Sequence, residues 1–179
     1  MTEKEKETVL EMIKDYNTDF AMQDEAKICK IKQKFINDFT VDVTQKPQYV
    51  LQLLETAYNE KNAGDVEWSL GIVGIFNLLS KDYSKILLKL LEADWHYKHE
   101  DLVNAVRQLK IPEAVNCLYG TALKRFQYLE YDDFFSLAVK CIWALGAIKT
   151  VEAKDKLKLL SQSSNEIIRD NAIKQLEKI

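Results

Sequence analysis

Two histidines, and only two, occur in the 179 residues, at positions 96 and 99. With Glu100 they can share one helical face, an arrangement able to offer a metal ion two imidazoles and a carboxylate. The octapeptide around them, Asp94-Trp95-His96-Tyr97-Lys98-His99-Glu100-Asp101, is not a His-Glu-x-x-His motif. A structural use explains more of its residues. Glu100 and Asp101 fall in the first turn of a helix, where negative charge meets the positive end of the helix dipole. The histidines then hydrogen-bond into the preceding turn, and Trp95 seals a junction between helical repeats. A partner-binding surface can overlap such a junction, so Trp95, His96, Tyr97, His99, Glu100 and Asp101 form the first candidate set. No metal or other cofactor is expected.

A second set lies at an acidic, tyrosine-rich turn: Tyr128, Glu130, Tyr131, Asp133 and Phe134. Aromatic residues are enriched at interface hot spots, and an acidic field speeds encounter with a basic partner. The alternative is a capped turn whose rings belong to the core, with Asp132 as N-cap of a helix beginning near Asp133. Catalysis finds no support. Asp132 and Asp133 are neighbours, so on a helix they point apart rather than face each other across a substrate. There is no Gly-x-Ser-x-Gly, and Cys29, Cys117 and Cys141 lack a neighbouring base. Gly71 and Gly74 are expected to allow close approach of a neighbouring helix, since a phosphate loop would follow a strand and none is visible. The lysines at 27, 30, 32 and 34 read as the solvated face of an amphipathic helix.

These residues must be positioned by helices. Five Gly and two Pro are too few for a loop-rich or all-β chain, and 47% hydrophobic content suffices for a sizeable core. The net charge of −3 argues against a nucleic-acid groove, which needs a basic excess. The three scattered cysteines predict reduced core thiols. A charged start without an apolar core excludes a signal peptide, and no apolar run is long enough to span a bilayer, so a cytoplasmic location is expected.

The apolar periodicity predicts helices throughout. Val9, Ile13, Tyr16 and Phe20 stripe the first, over residues 3–20, and Ile28, Ile31, Phe35, Ile36 and Phe39 the second, over 24–39. Residues 40–46 break the period as a loop, with room for one short extended segment. Pro47 opens a third helix, and Asp65 is expected to cap a fourth. One-sided helices follow from Tyr83, Leu102 and Pro112. Residues 136–179 then read as helix, tight turn, helix, tight turn, helix. The first of these carries Leu137, Cys141, Ala144, Leu145 and Ile148 on one side and Val139, Ile142 and Trp143 on the other. It is expected to be buried nearly all round, Trp143 included.

Leu145 and Leu176 hold matching places about 30 residues apart, within the solenoid range. Ala144-Leu145-Gly146-Ala147-Ile148 resembles the A-L-G-x-I signature of short HEAT-like repeats. The resemblance implies an all-α fold, a right-handed α-solenoid of HEAT-like antiparallel helix hairpins. It would be one domain over 1–179, with degenerate helices over 1–64 and three clearer repeats over 65–179. A four-helix bundle is the alternative, but it predicts fewer and longer helices. Taken with Leu145-Gly146, the segment from Trp95 to Val103 resembles HEAT-like immunity proteins of bacterial toxin systems, including contact-dependent growth inhibition. That resemblance covers about the C-terminal half. It implies a non-enzymatic protein, monomeric when free, that binds and neutralises a basic cognate toxin, often a nuclease. A HEAT scaffold for protein assembly and a HEAT-like DNA glycosylase are the alternatives, and the latter needs a basic concave face that this composition does not supply.

Overall fold

The computed structural model describes every residue of the chain except Met22, and the described residues form ten α-helices with no strand. Single 3-10 turns precede three of the helices, at Lys81–Tyr83, Pro112–Ala114 and Gln127–Leu129. Residues 40–46 are bends and turns, so the extended segment allowed for there does not form. The helices pack largely as sequential hairpins in two compact units, Met1–Leu79 and Ser80–Ile179.

The first unit contains α1 (Glu3–Ala21), α2 (Glu25–Asp38), α3 (Gln48–Asn59) and α4 (Ala63–Ile75). Hairpins α1/α2 and α3/α4 join through contacts between α1 and α4. The stripes converge on Val9, Met12, Phe35, Val50, Leu54, Val66 and Ile72, all buried. Phe35 stacks on Phe39 with ring centroids 4.6 Å apart. Asn62, not Asp65, caps α4 by accepting the Asp65 N–H. Asp65 is itself buried and accepts a hydrogen bond from the Met1 amino group at 2.8 Å. A carboxylate this enclosed is held by a charge partner rather than spent on an end cap.

The two glycines of α4 differ. A Cβ on Gly71 would lie 2.8 Å from Ile13 Cδ1, so α1 does approach closely there. A Cβ on Gly74 would meet nothing within 4 Å, against the expectation of close packing. Cys29 departs from expectation as well, being exposed. It lies six positions before the buried Phe35, about 240° around α2 at 100° per residue, and so faces away from the core.

The second unit contains α5 (Ser84–Glu92), α6 (His99–Leu109), α7 (Val115–Leu123), α8 (Ser136–Ile148), α9 (Val151–Leu160) and α10 (Glu166–Leu176). They form hairpins α5/α6, α7/α8 and α9/α10. Helices α6, α8 and α10 neighbour one another in one row, and α5, α7 and α9 in the other. Helix α8 touches α6, α7, α9 and α10, which is why Leu137, Ala138, Cys141, Ile142, Ala144, Leu145 and Gly146 are all buried. The enclosure stops at Trp143, which is 43% exposed and donates its indole N–H to Asn171 Oδ1 at 3.3 Å. An expected core tryptophan therefore lies on the surface of α8, bridging to α10.

Helix ends follow a repeated device. Lys61, Asn77, Lys110 and Lys149 take left-handed backbone conformations just past the ends of α3, α4, α6 and α8. Glycine usually occupies such positions because a Cβ is penalised there. No described helix is long and apolar enough to cross a membrane.

Candidate functional site

The chain leaves α5 at Glu92 and turns back on itself before α6 begins at His99. Two buried imidazoles hold this reversal. His96 Nε2 lies 2.8 Å from the Leu90 carbonyl, and His99 Nε2 lies 2.7 Å from the Ala93 carbonyl. A carbonyl can only accept, so Nε2 carries the proton in both rings. The other nitrogens are then acceptors. His96 Nδ1 accepts the Lys98 N–H at 3.1 Å, and His99 Nδ1 accepts the Tyr128 hydroxyl at 2.8 Å. All four ring nitrogens are engaged, the carbonyls of the preceding turn among their partners, as the junction reading required.

Burial favours the neutral rings. It pushes the His99 pKa down to about 4, against the opposing hydrogen bond to Ala93, with the charges of His96 and Lys124 adding to the effect. Burial lowers the pKa of His96 too. Tyr128 is pushed up to about 12, chiefly by burial, so it stays protonated and able to donate to His99. No described group of three or more His, Cys, Asp or Glu residues has a metal-holding arrangement. Burial also raises Cys117 to about 11 and Cys141 further, which keeps both thiols protonated at neutral pH.

The bond between His99 and Tyr128 joins segments 29 residues apart in the chain. Rings continue the connection. His96 stacks on His99 with centroids 4.4 Å apart, His99 meets Phe126 at 4.0 Å, and Tyr97 meets Tyr128 edge-on at 5.3 Å. Trp95 packs edge-on to His96 at 5.3 Å. The two candidate sets read from the sequence thus share one aromatic cluster.

The cluster separates support from surface. His96 and His99 have no accessible surface, so neither can touch a partner directly, contrary to their place among the expected contact residues. Their polar atoms are spent inside the fold. Trp95 and Tyr128 are half-buried. Glu100 is half-buried and pairs with Lys140 of α8 at 2.5 Å. Outside lie Tyr97 at 68%, Phe134 at 77% and Tyr131 at 93% exposure, with exposed Asp101, Glu130 and Asp133 on the same two segments.

The second segment is shaped by Asp132. Its carboxylate accepts the Ser136 N–H at 2.6 Å, the Ser136 hydroxyl at 3.1 Å and the Phe134 N–H at 3.1 Å. It therefore tethers the start of α8, but that helix begins at Ser136 rather than near Asp133. The delay arises at Phe135, whose φ of 52° is left-handed and cannot belong to the helix.

Behind this loop, a cleft of about 370 Å³ opens between the end of α7, the start of α8 and the turn into α10. Lys124 and Arg125 line it, with Phe135, Asp132, Ser164 and Ile168 among the other walls. Lys124 Nζ sits 4.7 Å from the Phe126 ring centroid, and Arg125 Cζ sits 4.3 Å from that of Phe135. These cations do not stand out in the sequence as a site. The adjacent pair Lys124-Arg125 followed by Phe126 was the available signal, but it gives no hint that residues 164–168 close the other side. Neither a family model, nor a curated protein, nor a solved structure matches this chain.

Proposed function

We propose that the second unit is a short right-handed α-solenoid of HEAT-like hairpins that binds another protein and, in a bacterial cytoplasm, neutralises a basic toxin domain. The two-row arrangement of α5 to α10 supports the solenoid, since stacked hairpins place alternate helices in alternate layers. The observation that carries the binding reading is the junction of residues 95–101 with 128–134 through Tyr97, Tyr128 and His99. Two segments distant in the chain present three largely exposed aromatic rings among exposed carboxylates, over a support whose own polar atoms are satisfied. Exposed tyrosine and phenylalanine on a held backbone supply contact area at low cost in side-chain entropy, and the acids steer a basic partner. Neutralisation would follow from covering the toxin's active site or substrate path. This role requires neither a cofactor nor catalysis by this chain.

The test is rescue. Cells producing the cognate toxin, the product of an adjacent gene, should survive when they make this protein. They should die when they make Glu130→Lys/Asp133→Lys at equal abundance. Association of the purified pair should slow in the double variant and with added salt, because exposed charges are screened over about 8–10 Å at ordinary ionic strength. Equal protection by both proteins would remove this surface from the interface. The absence of any neighbouring toxin, with capture of assembly factors instead, would favour the scaffold reading.

A further inference from the structure

The cleft behind the loop has a different chemistry from the acidic surface in front of it. Its lining mixes polar and apolar groups, with Leu129, Leu137 and Ile168 facing the same space. Its charge comes from Lys124, Arg125 and Asp132, a net excess of one positive charge. The three are not equivalent. Asp132 already accepts three hydrogen bonds from Phe134 and Ser136, which satisfy and partly offset its carboxylate. Lys124 and Arg125 form no ion pair among the described residues, and each lies over an aromatic ring instead. A ring face attracts a cation but leaves its N–H groups unsatisfied by any acceptor in the fold. Contact with the Phe135 ring also restricts the Arg125 guanidinium, so less freedom is lost when it grips an anion. At about 370 Å³ the cleft falls within the ~300–1,000 Å³ typical of small-molecule sites.

We propose that this cleft binds a small organic anion. Arg125 and Lys124 hold its acidic group, and its apolar body lies on the Leu129, Leu137 and Ile168 wall. Inorganic phosphate would use only the first half of that site, and a neutral hydrocarbon only the second. The proposal stands apart from the toxin reading, because it concerns other residues and needs no protein partner.

The probe is 1-anilinonaphthalene-8-sulfonate, titrated into the full chain at neutral pH and followed by fluorescence, with N-phenyl-1-naphthylamine as its uncharged parent. Saturable one-to-one binding of the sulfonate is expected, weakened about tenfold in Arg125→Gln, the loss typical of one charge-assisted hydrogen bond. The uncharged parent should bind equally to both proteins, and phosphate alone should compete only weakly. Arg125 is exposed, so the substitution leaves the fold intact, which circular dichroism checks. A second variant, Ser164→Tyr, keeps both cations and narrows the cleft from the opposite wall; it should weaken the sulfonate comparably. Unsaturable binding, binding unaffected by Arg125→Gln, or binding unaffected by Ser164→Tyr would each overturn the proposal, the last by placing the anion on the cationic surface outside the cleft.

Discussion

Acidification should destabilise the second unit through its histidines, and the size of the effect follows from how His99 is enclosed. In the unfolded chain His99 has its ordinary pKa near 6.5, whereas in the fold burial holds it near 4. Above pH 6.5 both states leave the ring neutral, and stability is complete. Between pH 6.5 and 4 the unfolded chain binds a proton that the folded protein refuses, so stability falls as pH falls. Below about pH 4 both states bind it and the loss levels off. At about 1.4 kcal/mol per pH unit, that interval removes roughly 3 kcal/mol, a large fraction of the stability of a small domain. His96 shifts in the same direction and deepens the loss. Carboxylates also titrate at the lower end of this range, so the comparison needs a variant with a non-titrating side chain. His99→Gln keeps one donor and one acceptor on an amide. Urea unfolding of parent and variant in a Trp68→Phe background, followed by the emission of Trp95 and Trp143 at pH 7.0 and 4.5, should show the variant less stable at pH 7.0 but losing roughly 2–3 kcal/mol less on acidification. Nitrogen-resolved NMR should show both imidazoles protonated on Nε2 at neutral pH, with the His99 ring still neutral well below pH 6. A His99 titration near 6.5, or parallel pH profiles for parent and variant, would refute the buried neutral pair.

Other substitutions test the packing. Trp143→Ala should cost under about 2 kcal/mol, against the ~3–5 kcal/mol of a buried tryptophan, because the ring is 43% exposed; equilibrium denaturation decides between them. Gly120→Ala should stabilise by up to ~1 kcal/mol, since its Cβ would meet nothing within 4 Å and alanine is the better helix former. Gly146→Ala should instead destabilise by ~1–3 kcal/mol, because its Cβ would fall 2.3 Å from Gln175 Oε1 and 3.2 Å from Gln175 Cβ; a rise in melting temperature would show that Gln175 simply swings away. Lys149→Gly, at a left-handed position past α8, should raise the melting temperature by an amount equivalent to about 1 kcal/mol.

The helices were legible because burial on one side leaves a stripe at helical period, as in α3, α5 and α6, while α4 and α8 are apolar on most sides. The junction role of His96 and His99 was legible too, since two histidines before an acidic first turn match a chain reversal at a helix start. What failed has a common physical origin. Periodicity reports that a residue is apolar, not whether a neighbour reaches it. Trp143 and Cys29 were therefore placed in a core that stops short of both. Asp65 preceded an apolar run and looked like a cap, but the partner that buries it, the Met1 amino group, is 64 residues away. The meeting of Tyr97 with Tyr128 and the closure of the Lys124–Arg125 cleft by residues 164–168 are equally non-local, set by how hairpins stack.

The left-handed turn at Phe135 has an evolutionary consequence. It puts adjacent phenylalanines into different environments, Phe134 standing in solvent and Phe135 under the Arg125 guanidinium. Substitutions at Tyr131 or Phe134 disturb little of the packed interior, whereas those at His99, Phe126, Asp132 or Phe135 disturb much of it. The outward lettering of this loop is thus free to drift while its backbone stays fixed. On the proposed binding reading, a lineage exchanges one partner for another by single surface changes, without passing through unfolded intermediates and without rewriting the cleft behind.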